Sequence, residues 1–69
     1  MQQIRVADVG EVTLMEFEAM ISAWINAGAP KPVLEGPREE QAAILRQVAS
    51  RGDAQMRSVV EIYLRQIGA

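Results

Sequence analysis

The chain has 69 residues, a formal charge of −2, 49% apolar side chains and neither Cys nor His. That length holds one domain at most, with enough apolar side chain to build a core. The missing residue types exclude disulfides, the usual zinc, haem and iron–sulfur ligand sets, and every nucleophile pair built on His or Cys.

No cofactor or metal is therefore expected. Charge is unevenly placed: residues 1–30 carry Arg5 against Asp8, Glu11, Glu16 and Glu18, a net of −3, and residues 31–69 come to +1. Neither half offers the basic stripe that binding to a phosphate backbone requires. No stretch approaches the roughly 18 consecutive apolar residues of a membrane span, and MQQIRVADVGEV lacks the features of a signal peptide. The expected location is the cytoplasm, without membrane contact.

Residues 1–12 read as an extended N-terminal arm. Ile4 and Val6 alternate with Gln3, Arg5 and Ala7, the period of one short strand. A lone strand needs a neighbour for its backbone groups, so such an arm either packs loosely or pairs with another copy or with a partner's sheet edge. Residues 13–69 read as a single small helical domain.

The first helix is predicted over 13–27. Thr13 and Glu16 have the spacing of a capping box, and Val12 with Phe17 that of a hydrophobic staple. Gly28 supplies the stop and Pro30 prevents resumption. Residues 28–37, GAPKPVLEGP, form a connector of turn chemistry without PxxP spacing, in which Val33 and Leu34 are expected to anchor against the helices. Pro37 at a first helical position, followed by Glu39 and Glu40, opens a second helix over 37–50 that stops before Gly52. Asp53 caps a third over 53–67, so the last two helices make an αα-hairpin. The fold class is all-α, a three-helix domain carrying an extended arm.

Wound at 100° per residue, the first helix places Met20, Trp24, Phe17, Ile21, Leu14 and Ile25 in one wide apolar arc. Its far side is not fully polar, because Met15, Ala19 and Ala23 recur at four-residue steps. The second helix gathers Ile44, Val48, Leu45, Ala49 and Ala42, with Arg38 and Gln41 intruding at a wet edge. The third gathers Met56, Val59, Val60, Tyr63 and Ile67, flanked by Leu64 and Ile62, while Arg57, Glu61 and Arg65 line a solvated face. These stripes exceed what three short helices need, which points to a partner.

Catalysis is not expected: Glu16 with Glu18, and Glu39 with Glu40, lie on different helix faces and sit where the helix dipole favours acids. DNA binding is the alternative, because residues 42–68 read as two helices about a Gly turn, with Gln55, Arg57, Ser58 and Arg65 able to reach bases in a helix-turn-helix or ribbon-helix-helix arrangement. Acidity and the scarcity of basic residues make nucleic acid the weaker reading. Residues 59–68, VVEIYLRQIG, resemble the short segment that precedes the first conserved helices of primary bacterial sigma factors. Ten residues carry that likeness and nothing else of the pattern is present, so no function passes across it. The build is also similar to that of small helical co-chaperones of bacterial secretion systems and of small phage proteins, a likeness of architecture alone.

The functional expectation is a protein–protein interaction module: a chaperone, adaptor, inhibitor or structural subunit. Its partner is another protein or its own copy in a homo-oligomer. The residues expected to meet that partner are Met15, Phe17, Ala19, Met20, Ala23, Trp24 and Tyr63, large anchors and the small residues that admit a second helix.

Overall fold

A computed structural model describes residues 3–69. Three helices dominate: α1 (Leu14–Ala27), α2 (Arg38–Arg51) and α3 (Ala54–Ile67), preceded by two short strands, β1 (Ile4–Val6) and β2 (Gly10–Val12). The all-α class and the helix positions agree with the sequence reading. By its internal contacts the chain divides into two units, Met1–Glu35 and Gly36–Ala69.

In the first unit, the arm is extended but folds back on itself. β1 and β2 pair antiparallel with Ile4 opposite Val12, Arg5 opposite Glu11 and Val6 opposite Gly10. The expected single strand thus finds its neighbour within its own chain. Residues 1 and 2 of the predicted arm lie outside the described residues. The Val9 N–H donates to the Val6 carbonyl at 3.1 Å and closes the turn between the strands. Asp8, third in that turn, has φ 66°, the left-handed region that Gly enters freely and that Asn and Asp tolerate better than other side chains.

The connector adds to this sheet. Ala7 donates its N–H to the Val33 carbonyl at 2.8 Å, Glu35 donates to the Arg5 carbonyl at 3.0 Å, and Val6 bridges Leu34. The anchor expected from Val33 and Leu34 is therefore divided. Leu34 is buried, whereas Val33 is 54% exposed, because neighbouring residues of an extended segment face opposite sides. Ile4, Val6 and Val12 of the hairpin are buried as well.

Helix α1 begins on the expected box. Thr13 is its N-cap; the Glu16 N–H donates to Thr13 Oγ1 at 3.1 Å, and the Thr13 N–H donates to Glu16 Oε1 at 2.8 Å. Both staple residues, Val12 and Phe17, are buried. At the other end Gly28, with φ 70°, is left-handed, and the N–H groups of Gly28 and Ala29 both reach the Ala23 carbonyl, which sends the chain back along the helix.

In the second unit, α2 turns Ala42, Leu45 and Val48 inward and α3 does the same with Val60 and Tyr63. The polar residues that intrude on the α2 arc are satisfied at its edge. Gln41 Nε2 donates to the Gly36 carbonyl at 2.8 Å, and Arg38 Nη1 to the Gly68 carbonyl at 3.4 Å. Pro37 is the N-cap rather than the first helical residue, and Asp53 caps α3 by accepting the Met56 N–H at 2.9 Å. Among the described residues no buried side-chain nitrogen or oxygen lacks a hydrogen-bond partner.

Gly52 is required by space rather than by φ. Its backbone is extended, and a Cβ placed there would stand 2.6 Å from Met56 Cγ. Gly52→Ala is expected to lower stability by about 1–3 kcal/mol through overcrowding, read as a drop in urea midpoint at constant m-value. Thr13→Ala, which removes one bond of the capping box, is expected to cost about 1 kcal/mol in the same assay.

Candidate protein-docking groove

Seven side chains were expected to meet a partner, and the structure places them in three settings. Phe17 and Tyr63 are interior, at 0% and 2% exposure, so as contact residues they are corrected: in this chain they offer a partner no surface. Phe17 lies at the centre of the inward face of α1, where burial is deepest, and Tyr63 belongs to α3 in the other unit. Met15 and Ala19 lie on the outer side of α1, both exposed, with Met15 at 72%. Met20, Ala23 and Trp24 are half-buried at the flank between these two sides.

That flank is one wall of a groove. Met20 and Ala23 lie less than one turn apart on α1, and the chain that reverses at Gly28 runs back opposite them as Ala29, Pro30, Lys31, Pro32 and Val33. The hairpin turn, Val6 to Val9, closes the end. The space between is about 440 Å³ and its lining is mostly hydrocarbon, with Asp8 and Lys31 the two charged residues. Each wall follows from a local cause: the left-handed Gly28 reverses the chain, prolines keep the connector extended, and pairing of residues 33–35 with β1 holds its far end.

Two large apolar side chains of this lining, Val9 at 58% and Val33 at 54%, remain in water although the fold gains nothing from their exposure. Neither was singled out as a contact residue from the sequence. Val9 lies in what read as an arm, and Val33 was expected to be an anchor. The Lys31 ammonium lies 5.8 Å from the centroid of the Trp24 ring, within the range of a cation–π interaction. Trp24 is thus neither plain core nor bare surface: it flanks the groove and holds a residue of the groove wall.

The second unit has a shallower depression, lined by Arg38, Glu39, Ala42, Arg46 and Ala69. Ile62 on α3 is 49% exposed but lies apart from it. Among the described residues no three Asp or Glu side chains converge where a metal ion could be held, and no helix is long and apolar enough to cross a membrane. Comparison with known protein families, with characterised proteins and with solved structures finds no match.

The division between inward and outward faces of α1 has a direct stability consequence. Phe17→Ala is expected to cost about 3–5 kcal/mol and to approach complete unfolding of so small a chain. Met15→Ser is expected to stay within about 0.5 kcal/mol of the parent. Thermal melts followed by circular dichroism distinguish the two.

Proposed function

We propose that this chain is a small protein–protein interaction module and that the groove between α1, the hairpin turn and the proline connector is where a partner docks. The observation that carries the reading is the concavity itself: about 440 Å³, lined by apolar side chains, with two valines more than half exposed at it. Concave apolar surface rimmed by a few charged groups is the usual form of a docking site, and folding alone gives no reason to leave it open. Ala23 in the helix wall brings the α1 backbone close to any occupant, and Met20 beside it has the conformational freedom to adapt to what enters. Met15 and Ala19 extend the contact onto the outer side of α1. The partner is another protein or a second copy of this chain, in the cytoplasm, and the chain acts by binding rather than by chemistry.

The DNA-binding alternative has less support. Of the residues a recognition helix would hold out to bases, Arg57 donates from Nη1 to the Gly52 carbonyl at 3.1 Å, which turns its guanidinium back onto the helix start. The second unit carries five Arg against Glu39, Glu40, Asp53 and Glu61, a net of only +1.

The test is site-specific photo-crosslinking in the native host. A photoreactive residue at Val33 is expected to give discrete adducts with another protein or with a second copy, told apart by mass. The same group at Glu61, on the solvated face of α3, is expected to give none. Equal labelling from both positions, or none from Val33, would overturn the reading.

A further inference from the structure

We draw no further inference here: the strongest candidate, the apolar groove between α1, the hairpin turn and the proline connector, is the site already described, and nothing in the structure shows what covers it.

Discussion

The pairing of residues 33–35 with β1 is the constraint on which the rest of the first unit depends. Without the bonds from Ala7 to Val33 and from Glu35 to Arg5, the connector after α1 would be a free proline-rich linker and no second wall would face Met20 and Ala23. The pairing also completes the hairpin. Two strands of three residues each are too short to persist alone in water, and the third extended segment gives β1 a neighbour on both sides. Leu34 enters the interior through that pairing, and the same alternation turns Val33 out to the groove. One set of backbone bonds thus fixes both the local fold and the groove.

Helix α1 is read correctly from its ends because its signals are local. A capping box, a staple pair and a left-handed glycine each involve residues within four positions of one another, so their geometry is written in the spacing. The same holds for Asp53 before α3. The hairpin was not legible. β1 shows in the alternation of Ile4 and Val6, but the three residues of β2 are too few to show a period, and the turn carries Ala7-Asp8-Val9 in place of an Asn-Gly or Asp-Gly pair. Val12 was visible as a staple residue but not as the end of a strand, although it serves as both.

The groove residues divide along the same line. The breadth of the α1 arc was legible, with Met20 and Trp24 inside it and Ala23 on the far side beside Met15 and Ala19. What lies across from them depends on contacts between segments far apart in sequence, which no helical period encodes; Val9 and Val33 were invisible as contact residues for that reason. Size misled in the opposite direction for Phe17 and Tyr63. Large aromatic side chains dominate interfaces and small interiors alike, and in a chain with one Phe, one Tyr and one Trp the interior claims two of them.

The same arrangement leaves the edge of the sheet with little capacity to add a strand. Arg5 and Ala7 direct their backbone groups toward the connector, so by alternation Ile4 and Val6 direct theirs toward β2. Glu11 is then the residue of β2 whose N–H and carbonyl face outward. At one end of that edge the Val9 N–H is spent on the turn. At the other, the Thr13 N–H is taken by the Glu16 carboxylate, and the Thr13 carbonyl accepts the Phe17 N–H at 2.9 Å. A strand added there would find one residue's worth of backbone partners, too few to hold it, and a second copy pairing antiparallel about that residue would set Glu11 against Glu11, a like-charge pair that destabilises a sheet. The capping box that starts α1 therefore also closes the sheet edge, and the concave apolar surface left open in the first unit is the groove beside Met20 and Ala23.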